Sequence, residues 1–348
     1  MKAVFSPGPS YYSEETRKYA GWVKIFDLYR DGLKELGYEV LVPKFNPDLI
    51  DQTSTVSKIT SYDLTSAVQI PSNLDLFLGP PGYSLAQMLS LPKSVRKFLF
   101  VFNCADWWRD QQLAKEYKRF NQPYDLSPMW RWINETALKI SDCVLACSPW
   151  VKKTHARVVP EDKIQIAFWG VDSKKFHPPD VELPGFNVLF VGGDPIRKGL
   201  GYLVEAMKGM SGVELWVVGC EYPWSVNLSV RSFGMLPHGE MIKVYQQCHV
   251  ICIPTLEDGI ALAIQEGMSC GLVPVTSPET AEVFEHGVSG WRVDYRDVEG
   301  IRSYLQLLRD NPDILHKMSG EARKLAERQT WEVTKEQFKD IIKREMNL

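Results

Sequence analysis

The run Val250-Ile-Cys-Ile-Pro254, Thr255-Leu-Glu-Asp-Gly259, Ile260-Ala-Leu-Ala-Ile-Gln-Glu266, Gly267-Met-Ser-Cys-Gly271 and Leu272-Val-Pro-Val-Thr276 decides the fold class. Val250–Ile253 is short and wholly apolar, the composition of a parallel strand buried on both faces. Beyond the turn, Ile260, Ala263, Ile264, Gly267 and Met268 recur at helical spacing and make one apolar face. Leu272–Thr276 reads as the next strand. Gly259 lets a ligand approach the backbone closely. A helix start at Gly259–Leu262 exposes amide groups at its positive end, a seat for a phosphate or diphosphate. Any strand-turn-helix unit shares this form; what sets this one apart is a pair of acids, Asp258 and Glu266, eight positions apart.

The same alternation of apolar strands and amphipathic segments runs from end to end, the pattern of α/β layers with parallel sheets. In the first half the strands read as Lys2–Ser6, Tyr38–Val42, Leu74–Gly79, Lys97–Asn103, Cys143–Ser148 and Lys163–Phe168, with one long helix over Tyr19–Leu36. In the second half they read as Asn187–Val191, Glu214–Val218, Val250–Ile253, Leu272–Thr276 and Trp291–Val293. Phe176-His-Pro-Pro-Asp-Val-Glu-Leu-Pro-Gly185 carries three prolines and a glycine and reads as an interdomain linker. The expected domains are therefore 1–176 and 177–330, with 331–348 as a final helix.

The 348 residues suit two domains. No apolar stretch approaches a membrane span, and Met1-Lys-Ala-Val-Phe-Ser6 reads as a first strand, so the expected compartment is the cytosol. Seven cysteines include no Cys-x-x-Cys pair, and Cys143, Cys147, Cys248 and Cys252 sit in or beside strand-like runs, as buried thiols do. Six scattered histidines form no ligand set, so no metal is expected. A net charge of −3 gives no case for nucleic acid. Residues 1–170 hold 21 Lys+Arg against 18 Asp+Glu, net +3, and the remainder 19 against 25, net −6. An ordinary solvated surface accounts for this asymmetry, the alternative being an N-terminal face that approaches an anionic lipid or acceptor.

Asp258-Gly259-Ile260-Ala261-Leu262-Ala263-Ile264-Gln265-Glu266 resembles the donor-binding signature of retaining glycosyltransferases of the GT-B fold, family four, also called glycosyl transferases group 1. In that family the run is Glu-Gly-Phe-Gly-Leu-Ala, two apolar residues, then Glu. The spacing is kept here, while Asp258, Ile260 and Ala261 replace Glu, Phe and the second Gly. The resemblance implies that the first acid contacts hydroxyls of the transferred sugar and that Glu266 holds the nucleotide ribose. Glu257 lies one residue earlier and is an alternative first acid.

Further matches follow. Phe190-Val-Gly-Gly-Asp-Pro-Ile-Arg-Lys-Gly199 resembles the family's Gly-Arg…Lys-Gly element, whose cations neutralise the donor diphosphate. Gly192 and Gly193 form its turn, Lys198 matches the Lys, and Arg197 stands in for the Arg that Gly193 replaces. Phe233 lies in the turn that in the family lines the base pocket, and Ser277 in the loop near diphosphate and sugar. Trp169-Gly-Val-Asp172 and Phe176 resemble the segment leading into the second domain. In the first domain Gly21 matches one of a Gly-Gly pair, and Asp106 the Asp of a strand-end His-Asp whose His is Ala105 here. Trp107, Trp108, Trp130, Trp132 and Trp150 suit either sugar stacking or core packing.

The implied protein is α/β with the GT-B fold, two Rossmann-like domains whose parallel sheets face across a cleft, the final helix crossing back to the first. The implied activity is retaining, metal-independent transfer of a sugar from a nucleotide diphosphate donor to an acceptor hydroxyl on a glycan, lipid or small molecule. Asp258, Lys198, Arg197 and Asp106 are the candidate catalytic residues. Glu266, Gly259, Ile260, Ala261, Leu262, Gly192, Gly193, Gly21, Phe233 and Ser277 are the candidate donor-binding residues. Acceptor choice is expected around Tyr11, Tyr12, Asp106 and Trp107. A nucleotide-sugar epimerase or hydrolase is separated from this reading by product formation with and without acceptors, and a non-catalytic binding protein by the absence of turnover.

Overall fold

The computed structural model describes residues 1–46, 55–124, 127–222 and 227–348. In chain order the first strands and helices are β1 (Lys2–Phe5), α1 (Glu14–Tyr19), α2 (Val23–Glu35), β2 (Glu39–Leu41), α3 (Thr55–Ala67), β3 (Leu76–Gly79), α4 (Leu85–Ser90) and β4 (Arg96–Val101). Next come α5 (Asp106–Arg119), α6 (Pro128–Ile140), β5 (Cys143–Ala146), α7 (Pro149–His155) and β6 (Ile164–Ile166). The second half holds β7 (Asn187–Val191), α8 (Leu200–Met207), β8 (Glu214–Val218), β9 (Val230–Ser232), α9 (Met241–Tyr245), β10 (Val250–Ile253), α10 (Leu262–Ser269), β11 (Val273–Thr276) and β12 (Trp291–Arg292). The chain ends with α11 (Val298–Asp310), α12 (Pro312–Arg328) and α13 (Trp331–Met346).

These elements build two units. The first comprises Met1–Asp110, Asp125–Phe168 and Trp331–Leu348; the second comprises Gln111–Tyr124 and Trp169–Thr330. Each unit has one six-stranded, wholly parallel sheet: β2-β1-β3-β4-β5-β6 in the first and β12-β11-β10-β7-β8-β9 in the second. The central strands β3, β5, β10 and β11 are buried along their whole length, as all-apolar runs between two helical layers must be.

The sequence expectation differs from the structure in four places. The chain passes between units at Phe168/Trp169, ahead of the proline-rich stretch. Val171 bridges Thr330, and the Phe176 side chain is buried in the second unit with its carbonyl accepting Ser269 Oγ at 2.6 Å. The helix expected over Tyr19–Leu36 begins only at Val23, because Ala20 is extended, at φ −101° and ψ 107°, and ends a separate α1 before it. Helix α10 starts at Leu262, after an extended Ala261, so Ile260, read as part of its apolar face, lies before it. Finally β9 joins the sheet edge; its Val230-Arg-Ser232 has too little apolar pattern to announce a strand.

Helix α13 closes the first unit. Tyr29 on α2 stacks on Phe338 of α13 with ring centroids 4.4 Å apart. Gly32 makes the approach feasible, since a Cβ there would lie 2.9 Å from the Phe338 ring. Lys335 and Lys339 both reach Glu35, at 2.7 and 3.0 Å.

Candidate active site

In the second sheet the strand sequence runs outward from β7 through β8 to β9, then returns to the other side of β7 with β10. The loops after β7 and β10 therefore leave adjacent strands in opposite directions, and the crevice between them is the usual ligand position of an open α/β sheet. The sequence puts its charged motif there: Gly192–Gly199 follows β7, and Pro254–Ala261 follows β10.

Backbone contacts stitch the two loops together. The Arg197 carbonyl accepts the Leu256 amide at 2.9 Å and Thr255 Oγ1 at 3.1 Å. Gly199 takes φ +73°, and a Cβ on it would sit 2.0 Å from the Pro254 carbonyl oxygen, so a side chain would force the loops apart. Ser277, at the end of β11, is buried and donates to the Thr255 carbonyl at 2.6 Å, which ties a third strand end to the pair.

This stitching brings four charges together. Arg197 Nη1 lies 3.2 Å from Glu257 Oε2, and Arg197 also reaches Asp258 at 4.0 Å. Lys198 Nζ contacts Asp258 Oδ2 directly. Burial pulls the Lys198 ammonium below the usual lysine range, with Asp258 acting against it. Burial alone would raise the Asp258 carboxyl, but Lys198 and then Arg197 hold it below the ordinary carboxylate range. Burial also opposes the Arg197 charge, yet Glu257 and Asp258 outweigh it and raise the guanidinium pKa. The quartet is electrically balanced as it stands. The sequence reads Arg197 and Lys198 as cations for the donor diphosphate; the structure pairs them with the buried Glu257 and Asp258.

Asp258 Oδ1 accepts the Gly259 amide at 2.9 Å, and Ile260 and Ala261 are buried beneath the turn. Ala261 caps α10 without any side-chain hydrogen bond to the helix amides. One turn on, Glu266 accepts from Tyr245 through Oε2 at 2.8 Å, and its Oε1 lies 2.6 Å from His238 Nε2. Gly192 and Gly193 lie beside Gly219, at the end of β8. Phe233, just past β9, packs on Trp216 with centroids 5.2 Å apart. Tyr245 and His238 are not singled out by the sequence, since they lie tens of residues from the motif they serve, and Glu257 enters there as the alternative first acid. Glu279 was also missed; its Oε2 is buried without a hydrogen-bond partner, and burial raises its carboxyl pKa.

Two candidates belong to the first unit. Gly21 sits in the break between α1 and α2. Asp106 opens α5, pairs with Arg109 at 2.7 Å and accepts from Asn134 at 2.7 Å. Burial raises its carboxyl pKa, against the pull of Arg109 and Asn134. Asp106, Arg109 and Asn134 line a cavity of about 100 Å³ at the C-terminal ends of β3 and β4, together with Trp130, Tyr83 and His155. Among the tryptophans, Trp107 donates to the Thr154 carbonyl at 2.9 Å, Trp108 packs on Trp150, and Trp132 is exposed. The described cysteines are free thiols, all buried but the half-buried Cys220.

The second unit also carries the match to a known family. Residues 185–311 match the family described as glycosyl transferases group 1. The fold is that of the GT-B glycosyltransferases. Sucrose-phosphate synthase from Thermosynechococcus elongatus superposes with a TM-score of 0.78 at 15% identity, covering 99% of each chain. Anabaena Alr3699/HepE, in a complex with UDP-glucose, gives 0.70 at 13% identity, covering 99% of this chain and 100% of that one. Among curated relatives, the amylovoran biosynthesis glycosyltransferase AmsK of Erwinia amylovora is 25% identical over 276 residues. That match spans 72% of this chain and 65% of AmsK.

Proposed function

We propose that this protein is a glycosyltransferase that moves a sugar from a nucleotide diphosphate donor to an acceptor hydroxyl in glycan assembly, with retention of anomeric configuration. The observation that carries the reading is the Arg197–Lys198–Glu257–Asp258 quartet at the crossover of the second sheet, inside the stretch that matches the family. AmsK supports glycan assembly as the setting, and the UDP-glucose complex of HepE supports the donor class.

In this reading the diphosphate lies against Arg197, Lys198 and the uncapped start of α10, where positive potential is preorganised. Glu266 holds the ribose, oriented by Tyr245. A balanced quartet cannot neutralise a dianion without giving up an internal contact. Lys198 therefore shifts from Asp258 to the diphosphate, and Asp258 turns to a sugar hydroxyl. The bond from the anomeric carbon to the diphosphate oxygen breaks, the bond to the acceptor oxygen forms on the same face, and the acceptor proton passes to the leaving diphosphate. No divalent metal takes part, since fixed cations occupy its place. Asp258 keeps slight exposure while Glu257 has none, which favours Asp258 as the acid that meets the sugar.

The acceptor belongs to the first unit, around Tyr11, Tyr12, Asp106 and Trp107. That unit also meets an anionic membrane surface. Helix α3 packs on α4 and α4 on α6, and together they expose Leu64, Val68, Leu89, Met129 and Trp132. Among the described residues of these helices and the turn after α4, Lys93, Arg131 and Lys139 are exposed, and the half-buried Glu135 pairs with Arg131 at 2.7 Å and Lys139 at 3.8 Å, a net excess of positive charge. An apolar patch edged by cations suits anionic lipid. Among the described residues no helix is long and apolar enough to cross a membrane.

The deciding experiment is a thermal-shift screen against nucleotide diphosphate sugars, followed by product analysis with and without acceptors. Failure of every donor to raise the melting point would sink the reading.

A further inference from the structure

The loop that carries Arg197 and Lys198 is organised by Asp194. Its Oδ1 accepts the backbone amides of Ile196 at 3.1 Å and Arg197 at 3.0 Å, and its own carbonyl accepts the Lys198 amide at 3.0 Å. Such a turn fixes the backbone locally, but an aspartate held through one oxygen can still swing about its side-chain torsions. Here the second oxygen is held as well: Oδ2 accepts the phenol of Tyr117.

Tyr117 is a firm anchor. It lies on the part of α5 that belongs to the second unit. Its ring packs on Tyr124 with centroids 5.2 Å apart. The preceding Glu116 is wholly buried; it accepts from Tyr202 of α8 through one oxygen and from Arg296 at 2.7 Å through the other. Burial raises the Tyr117 phenol pKa, with the Asp194 hydrogen bond and charge adding to it, so the group stays a donor at neutral pH. An O–H donor to a carboxylate is among the stronger hydrogen bonds.

We propose that Tyr117 is a positioning residue for the donor diphosphate: by pinning Asp194 it sets the direction in which Arg197 and Lys198 leave the β7 loop. The proposal rests on the glycosyltransferase reading above. Nothing in the sequence links the two positions, because 77 residues separate them.

The test is calorimetric titration of the whole chain with UDP and GDP, and with UMP and GMP, for the wild type, Tyr117→Phe, Asp194→Asn and the double variant. Tyr117→Phe keeps the ring and removes the hydroxyl; Asp194→Asn keeps an oxygen for the two amides and gives Tyr117 no carboxylate. Each single variant should bind the diphosphate about five- to tenfold more weakly, the scale of one charge-assisted hydrogen bond. Monophosphate affinity should stay within about twofold, and the double variant should be no worse than either single one, as for two parts of one device. A merely structural role would weaken both nucleotide classes together, and that result overturns the proposal. So does unchanged diphosphate affinity in the single variants. If the wild type binds no diphosphate, the functional reading falls and takes the proposal with it. Should Tyr117→Phe fail to fold, Asp194→Asn decides alone.

Discussion

Arg197 Nη1 stands 3.2 Å from Glu257 Oε2 while the next residue along, Lys198, contacts Asp258, so two adjacent acids are divided between two adjacent cations. Glu257 is fully buried, and the half-buried Arg197 supplies the counter-charge that makes it tolerable. The two acids therefore have different parts to play. Glu257→Gln leaves the half-buried Arg197 guanidinium with Asp258 at 4.0 Å as its remaining acid, at a cost below the about 3–5 kcal/mol of breaking a fully buried pair. It should lower the melting temperature clearly in calorimetry. Asp258→Asn should lower turnover by about a hundredfold or more, roughly 2.7 kcal/mol in the barrier, while nucleotide affinity changes little. If Glu257→Gln abolishes turnover without loss of stability and Asp258→Asn is silent, the loop register proposed here is wrong.

Glu266→Gln should weaken nucleotide binding about tenfold, on the scale of one charge-assisted hydrogen bond to a ribose hydroxyl. Tyr245→Phe should produce part of the same loss, because the Tyr245 phenol orients Glu266 at 2.8 Å without itself being exposed. Isothermal titration with nucleoside diphosphate reads both. Wild-type affinity in Glu266→Gln would remove that residue from the donor site.

Much of this was legible in the sequence for a physical reason. Parallel strands buried on both faces are continuous apolar runs, and Val250–Ile253, Asn187–Val191 and Glu214–Val218 were placed to the residue on that signal. The β9 edge strand, with its Arg-Ser end, gave no such signal. Ala20, an ordinary helix former, gave no sign that it would end α1 and delay the first long helix to Val23. The balanced quartet was half legible. Motif spacing located Lys198, Arg197 and Asp258, but pairing depends on how two loops sixty residues apart are stitched, and no local pattern carries that. The phenols of Tyr245 and Tyr117 are further cases, since a tyrosine in a helix reads as core until its hydroxyl is seen to meet a carboxylate.

His155 provides a pH signature for the first unit. It is almost wholly buried on α7, where Nδ1 lies 2.9 Å from the Val151 carbonyl, and burial lowers its pKa from 6.5 to about 4. The unfolded chain takes up a proton at its ordinary pKa, while the folded chain does so only near 4. Stability is thus fully present above about pH 6.5 and is lost progressively as pH falls towards 4, by about 3 kcal/mol at the limit. Melting temperatures at pH 7 and pH 5 should differ less in His155→Gln than in the wild type. An equal difference would show that His155 does not carry this dependence.

Val68 and Trp132 are 85% and 62% exposed, far more than side chains of their size usually are in a folded surface. A variant carrying Val68→Ser, Leu89→Ser and Trp132→Ala should lose most of its co-sedimentation with phosphatidylglycerol-containing vesicles, by about tenfold. Its nucleotide binding should be unaffected. Vesicle binding equal to the wild type, or absent in both, would exclude this face as a membrane contact.

Lys198→Ala tests the claim that fixed charge replaces a metal. Among the described residues no group of three or more His, Cys, Asp or Glu side chains gathers to hold an ion. The proposed alternative is Lys198 with Arg197 and the start of α10, the last contributing roughly half a unit charge. In the unliganded quartet Asp258 cancels Lys198, so the cation is held in place by its own counter-charge until a diphosphate competes for it. A unit charge pair at about 4 Å with an effective dielectric near 20 is worth on the order of 4 kcal/mol before desolvation. Removing the cation takes that attraction from the leaving group and leaves Asp258 buried with one partner fewer. Lys198→Ala should therefore lose about three orders of magnitude in turnover, and added magnesium should not restore it. The wild type should keep full activity in excess chelator, measured as product formed from the donor that the thermal-shift screen selects. Loss of activity in chelator, restored by magnesium or manganese, would mean that the diphosphate is neutralised by an ion and not by Lys198.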